Sequence, residues 1–257
     1  SSGAIGSSGT IAFGGGTLQF SASNTTDYSS RFSTGASQAY SLDTNGQAVT
    51  LATALTSSGG TLAKTGTGTL TLTGANTYSG TTTISAGTLQ IGSGGTTGTL
   101  GAGAVTDNAS LVFNRSNALS VANVIGGSGS LTQAGSGTLT LSGDNTFTGG
   151  ATVSQGTLIA ANNTALGTGT AGTTVASGAT LQIDGGRTTL NNGTLTISGT
   201  GVGGAGALVG ATSGANGWGN SITLAGNTTF TTAAGSTSLA LGTFSGFYDR
   251  SNDPGGV

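Results

Sequence analysis

The chain has 257 residues, of which 52 are glycine and only 5% are charged, and it contains no cysteine, histidine or methionine. The net charge of −2 and the few basic residues exclude the electrostatic footprint of a protein that binds nucleic acid or anionic lipid. The absence of cysteine excludes disulfides and thiolate metal sites, and no apolar run reaches the about 20 residues that a membrane-spanning helix needs.

Short apolar runs recur along the whole chain. In each run Leu, Ile or Phe alternates with Thr, Ser or Gln, and Gly, Asn or Ser stands at both ends. This period-two alternation between turn residues predicts half-buried β-strands. The predicted strands lie at residues 9–13, 17–20, 60–63, 69–72, 88–91, 110–113, 130–132, 138–141, 157–159, 180–183, 194–197, 221–224 and 238–241. No segment keeps a helical apolar period, so the sequence predicts an all-β protein without helices.

The spacing between the runs indicates one architecture. Leu70, Leu89 and Leu111 follow one another at intervals of about 20 residues. A recurrence of about 19–23 residues matches one coil of a parallel β-helix, or β-solenoid, with short strands and Gly or Asn corners. An antiparallel sandwich would need regularly spaced hairpins, and the three Asn-Gly pairs are not regularly spaced. The predicted core contains one inward row of leucines: Leu70, Leu89, Leu111, Leu131, Leu139 and Leu158.

The chain also repeats itself at longer range. The stretch at 66–80, GTGTLTLTGANTYSG, returns at 135–149 as GSGTLTLSGDNTFTG. We therefore expect a single solenoid over residues 1–257 with a first repeat unit at 59–127 and a second at 128–198. Asn76 and Asn145 fall at the corner of each copy, where we expect a left-handed backbone.

Residues 66–92, GTGTLTLTGANTYSGTTTISAGTLQIG, closely resemble the autotransporter-associated β-strand repeat in the passenger regions of bacterial outer-membrane autotransporters, and residues 135–160 resemble a second copy. The resemblance implies a right-handed parallel β-helix exposed on the cell surface. It also implies export through a C-terminal β-barrel, for which the sequence up to Val257 shows no strand series. We therefore expect the chain to be a piece of a longer protein.

Catalytic residues are sparse in this sequence. With no His to act as base and no Cys as nucleophile, the usual catalytic triads are excluded. Glycosidase chemistry needs two carboxyls facing one cleft, and only Asp249 and Asp253, with Arg250 between them, are close in sequence. These three residues and Tyr248 are interpreted as a solvated loop, with binding of a cation or a sugar as the alternative. No cofactor and no metal site are expected.

A cluster of aromatic residues stands in the least repetitive segment, residues 21–45. Tyr28, Phe32 and Tyr40 accompany Arg31 there. One interpretation is an insertion that contacts sugars or proteins by aromatic stacking. The other is a loop whose aromatic rings pack back onto the solenoid.

The sequence is therefore interpreted as a non-enzymatic rod: an extracellular passenger segment on the bacterial cell surface with a stalk or adhesive role. Two alternatives remain, a subunit of an extracellular filament and a polysaccharide-active β-helix enzyme. Neither end of the sequence carries a capping helix or a charged strand. The expected partners are therefore further β-helix of the same chain, or identical chains stacked axially, together with host or matrix surfaces.

Overall fold

The computed structural model describes residues 5, 6, 8–184, 190, 192–211, 215–233 and 238–245. Within them the chain winds into a parallel β-solenoid of about ten coils. The predicted all-β fold is confirmed, and its only helical elements in these ranges are the short 3-10 turns Ser29–Arg31 and Val202–Gly204. No helix of this part is long and apolar enough to cross a bilayer.

The strands are short and most have three to five residues. In chain order they are β1 (Thr17–Gln19), β2 (Ala39–Asp43), β3 (Ala48–Leu51), β4 (Thr61–Thr65), β5 (Thr69–Leu72), β6 (Thr82–Ile84), β7 (Thr88–Ile91), β8 (Val105–Asp107), β9 (Ser110–Phe113), β10 (Leu119–Val121), β11 (Ile125–Gly126), β12 (Ser130–Gln133), β13 (Thr138–Leu141), β14 (Ala151–Val153), β15 (Thr157–Ala160), β16 (Thr173–Val175), β17 (Thr180–Ile183), β18 (Leu195–Gly199), β19 (Leu208–Gly210), β20 (Ala215–Trp218), β21 (Ile222–Thr228), β22 (Phe230–Thr232), β23 (Ser238–Leu241) and β24 (Phe244–Ser245).

Three long parallel sheets form the sides of the solenoid. Sheet A contains β1, β2, β4, β6, β8 and β11. Sheet B contains ten strands, β3, β5, β7, β9, β12, β14, β16, β18, β21 and β24, and extends along almost the whole described length. Sheet C contains β10, β13, β15, β17, β19 and β22, and a separate pair joins β20 to β23. Sheet A therefore forms a side of the first half of the rod, and sheet C forms a side of the second half.

The predicted leucine row is confirmed for its first part. In sheet B, Leu70 aligns with Leu89, Leu89 with Leu111, and Leu111 with Leu131. The expectation that Leu139 and Leu158 continue this row is wrong, because Leu131 aligns next with Ala151. Leu139 and Leu158 align with each other in sheet C, beside Leu119. The coils along sheet B keep the expected spacing up to Leu195, and the coil that follows, from Leu195 to Ile222, is longer.

The length of the repeat explains this change of sheet. Three coils along sheet B carry the chain from Leu70 to Leu131. The repeat instead matches Leu70 to Leu139, which lies one strand further along the chain. The second copy is therefore turned by one side of the rod. Its strand β13 lies in sheet C, whereas the matching strand β5 lies in sheet B.

The core is a narrow column of side chains from all sides. Its largest fully buried members include Trp218, Tyr40, Tyr78, Phe113 and Phe147. Each fully buried Leu or Ile stabilises the fold by roughly 1.5–3 kcal/mol. Each coil needs only the coils next to it, so a low apolar content is sufficient.

Two glycines at the same position of the two copies lie against the backbone of the preceding coil. Gly87 and Gly156 have φ of +67° and +61°. A Cβ on either residue would lie 2.3 Å from a carbonyl oxygen of the preceding coil, that of Gly68 or Gly137. Only glycine fits here, because the position combines a left-handed backbone with contact between coils.

Candidate functional site

The aromatic side chains of the segment at residues 21–45 point into the solenoid. Tyr28, Phe32 and Tyr40 are only 7%, 6% and 1% exposed. The rings of Phe32 and Tyr40 lie 4.9 and 5.3 Å from the ring of Phe13, edge to face, and the Tyr40 hydroxyl donates to the carbonyl of Ser33 at 2.8 Å. These rings fill the core of the first coils, so they are not available to stack on a ligand.

Arg31 holds the first described residues against this cluster. Its guanidinium donates to four backbone carbonyls, those of Ile5, Gly6, Ser8 and Gly9. The same group lies 5.8 Å from the centre of the Tyr28 ring. Because its donors are used within the chain, Arg31 acts as a clamp on the first coil.

The remaining predicted contact residues, Tyr248, Asp249, Arg250 and Asp253, lie outside the described residues. Within the described part, Asp27 and Asp43 cap the backbone. Asp27 accepts hydrogen bonds from the amides of Ser29 and Ala52, and Asp43 accepts one from the amide of Asn45. In the same part of the chain, no three carboxylate or imidazole groups come together in a way that could hold a metal.

The outward face of sheet B carries a long uncharged row of mainly hydroxyl side chains. Strand pairing aligns ten residues in this row, one per strand: Thr50, Thr71, Gln90, Val112, Thr132, Thr152, Thr174, Thr196, Thr223 and Ser245. All of them except Thr71 are half-buried or exposed. Neighbours along the row are about 4.8 Å apart, the ordinary distance between paired strands.

Strand preference alone does not explain this row. The corresponding outward row of sheet C, from the same part of the rod, is mixed: Ser120, Thr140, Ile159, Gln182, Val209 and Thr231. Both sheets favour β-branched residues, yet only sheet B presents six consecutive hydroxyls, from Thr132 to Ser245. We call the ten-residue row on sheet B the hydroxyl row.

In each copy, one buried polar side chain stabilises the turn that opens the repeat. Lys64 is fully buried, and its ammonium donates to the carbonyls of Thr65, Gly66 and Ala86 at 2.7–3.0 Å. Burial lowers the pKa of Lys64, and the nearby charge of Asp43 partly offsets this shift. These hydrogen bonds replace the water that the ammonium loses on burial.

Gln133 occupies the same position in the second copy. It is 2% exposed, and its amide donates to the carbonyls of Gly135 and Gly137 at 2.8 and 3.1 Å. Gly135 is the counterpart of Gly66, so the neutral amide in the second copy shares one of its acceptors with the ammonium in the first.

The corner asparagines join three successive coils. The Asn145 side chain accepts from the amide of Ile125 at 2.9 Å and donates to the carbonyl of Ala165 at 2.7 Å. Asn76 makes the same pair of bonds, to Leu55 and Thr99, each at 2.7 Å. The expected left-handed backbone at these two positions is wrong, because neither has positive φ. Asparagine is needed there for its side-chain amide.

Asp107 is a buried acid that the sequence reasoning missed. It is 1% exposed, its Oδ1 accepts from the amide of Ala109 at 2.9 Å, and its Oδ2 has no hydrogen-bond partner. Burial raises the pKa of Asp107 to about 6, although the backbone amides of Ala109 and Leu111 favour the charged form. The alternation of side chains along a strand could have shown that Asp107 points inward. Asp107 lies two residues after the inward-pointing Val105, just as the buried Lys64 lies two residues after Leu62.

Comparison with known protein families agrees with the repeated geometry. Residues 62–91 and 131–160 each match the passenger-associated-transport repeat. The chain carries two such repeats, and its parallel β-solenoid is consistent with an autotransporter passenger. Neither curated proteins nor solved structures give a match.

Each passenger-associated-transport repeat covers four strands and the corner between them. The first comprises β4–β7 in sheets A and B, and the second β12–β15 in sheets B and C. The matched residues include the buried polar pair Lys64 and Gln133 and both corner asparagines. The side chains at these positions hold the coil together by hydrogen bonds, whereas the hydroxyl row runs through both repeats and beyond them.

Proposed function

We propose that this chain is a structural and adhesive rod in the exported part of a bacterial cell-surface protein, and that it acts without catalysis. The two passenger-associated-transport repeats support the extracellular location. The observation that supports the adhesive role is the hydroxyl row, which follows sheet B over ten strands without a charged side chain.

The physical properties of the row suit contact with neutral, hydroxylated surfaces such as uncharged polysaccharide. Ten strands at about 4.8 Å give a contact line of about 45 Å. A single exposed hydroxyl contributes little, because water competes for its hydrogen bonds. Many weak contacts along a rigid rod act together, since each one raises the effective concentration of the next.

Adhesion of cells that display the chain tests this proposal. Thr152→Lys with Thr174→Lys places two charges in the middle of the hydroxyl row. The matched control, Ile159→Lys with Gln182→Lys, places two charges on the outward face of sheet C. We expect the sheet B variant to reduce retention on cellulose-coated surfaces at least several-fold and the control to behave as the unaltered chain. Equal retention of all three would contradict an adhesive role for sheet B.

A second candidate function is a filament subunit, which a cleft at the first coil favours. Ile5, Ile11, Phe13 and Leu18 line a cleft of about 200 Å³ beside β1. In the described residues β1 pairs on one side only, with β2. A free strand edge next to apolar side chains is a template for another coil, from this chain or an identical one. Light scattering should then show elongation that grows with concentration, whereas a monomer at high concentration argues against filaments.

The absence of catalysis is tested separately. The purified chain should neither hydrolyse nor eliminate acidic or neutral polysaccharides, with or without calcium. Turnover on such a glycan that disappears in Asp249→Ala or Asp253→Ala would contradict the structural role and favour the enzyme alternative.

A further inference from the structure

Asp107 lies at the coil where the chain changes sides. Its strand, β8, pairs with β11, the last strand of sheet A, while β10, the first strand of sheet C, comes between them in sequence. The next coil crosses directly over the carboxyl. The amide of Gly129 donates to the carbonyl of Asp107 at 2.7 Å, and a Cβ at position 129 would lie 2.4 Å from the carboxyl carbon. The carboxyl is thus enclosed where the two repeats join.

No charged group balances Asp107 in this enclosure. The strands packed around it, β6, β9, β11 and β12, contain no ionisable residue. Ile84 aligns with Asp107 on β6, and Lys64 lies one strand further along sheet A. The ammonium of Lys64 donates to carbonyls at its own turn. An ionised Asp107 therefore keeps a buried negative charge with one unpartnered oxygen, which is costly.

We propose that Asp107 makes this junction a proton-sensitive joint, closed while the carboxyl is protonated and opening more readily once it is ionised. Opening would separate the coil at residues 105–113 from the coil at 125–133 and let water reach the carboxylate. The inference depends on the burial, the missing partner of Oδ2 and the close cover by Gly129, and it does not depend on the proposed function.

The direction of the pH effect follows from linkage. The pKa of Asp107 is about 6 in the folded chain, above the ordinary 3.8 of an aspartate. Protonation therefore favours the closed junction. Its contribution is complete below about pH 4 and is lost as the pH rises through about 6.

Hydrogen exchange with mass spectrometry on the full chain tests the joint. The chain is labelled at pH 5.0 and 7.5, and opening constants are corrected for the intrinsic exchange rate. We expect peptides within residues 105–133 to open about tenfold more often at the higher pH. Peptides within 61–91, in the first repeat, should not change.

Two variants test whether the pH dependence comes from the carboxyl of Asp107. Asp107→Asn keeps the size and removes the charge, so the pH dependence within residues 105–133 should disappear. Asp144→Asn, at an exposed position, should leave it unchanged. Equal opening at both pH values in the unaltered chain, or an unchanged pH dependence in Asp107→Asn, would overturn the proposal.

A direct titration covers the case in which Asp107→Asn does not fold. The carboxyl carbon of Asp107 in the unaltered chain can be followed by NMR. A midpoint near pH 6 supports the joint. A midpoint at or below pH 4.5 overturns it, because the carboxyl would then be ionised throughout the range in which opening is measured.

Discussion

The hydroxyl of Tyr78 lies 2.7 Å from that of Thr82 inside the solenoid, and in the second repeat Phe147 and Ala151 replace both residues at once. All four positions are buried. Removing both partners of a buried hydrogen bond costs little, whereas removing one leaves the other unpaired. The two repeats thus present a paired and an unpaired version of the same contact.

This relationship predicts a non-additive pair of substitutions. Tyr78→Phe alone should lower the free energy of unfolding by about 1–2 kcal/mol, because it leaves the Thr82 hydroxyl buried without its partner. Adding Thr82→Ala should recover part of this loss, as in the second repeat. Denaturant titration of the two single variants and the double variant measures the coupling. A double variant as unstable as the sum of the single ones would contradict the prediction.

The Lys64 and Gln133 positions predict a tolerated exchange. Lys64→Gln should keep most of the stability, because Gln133 in the second repeat already donates to the carbonyl of Gly135, the counterpart of Gly66, and to one further carbonyl of the same turn. Lys64→Met has a similar length and no donor, so it should cost about 1–3 kcal/mol by leaving buried carbonyls unpaired. Chemical denaturation compares the two variants. Equal stability of both would show that the turn does not need a donor.

The corner asparagine predicts a loss confined to its neighbouring coils. Asn145→Ala leaves the amide of Ile125 and the carbonyl of Ala165 without their buried partner. We expect a loss of about 2–4 kcal/mol and faster hydrogen exchange in the coils that contain these two groups. Asn163→Ala, at an exposed position nearby, is the matched control and should change stability by less than about 0.5 kcal/mol.

The inward and outward sides of β13 predict opposite tolerance. Leu139 is 1% exposed. Leu139→Asp would bury an unpaired charge and should cost several kcal/mol, affecting adjacent coils before distant ones. Thr140→Asp points outward on the same strand and should change stability little. Thermal unfolding measures the stability of both variants. A stable Leu139→Asp variant would mean that the register of sheet C is wrong.

Much of the fold could be predicted because leucine alternation marks strands such as β5, β7 and β13. Strands such as β6 and β16 were missed, since their inward positions carry Thr82 and Thr173, which do not stand out in sequence. These strands form because they pair with the strands of the coils on either side. The spacing itself contradicts one continuous row, because Leu139 follows Leu131 by far less than the about 20 residues of one coil and therefore belongs to a different sheet.

The candidate residues were harder to predict for a related reason. Residue type left open whether the aromatic rings stack on a ligand or pack on the solenoid, because packing sets the direction of a side chain outside a strand, where Tyr28 and Phe32 lie, and Tyr40 belongs to β2, a strand that the sequence did not predict. Asp107 and Lys64 lie in regular strands, where alternation does give the direction. Charged residues are usually assigned to the surface, so an inward position was not considered for either.

The turn of the second repeat by one side of the rod affects how the molecule can be recognised. A receptor or antibody that binds the corner at Asn76 would have to approach the corner at Asn145 from another direction. One flat partner therefore cannot engage both copies in the same way. On a rod with three sides, a fourth copy at the same spacing would return to the side of the first. Identical epitopes would then recur once in about ten coils, or about 48 Å.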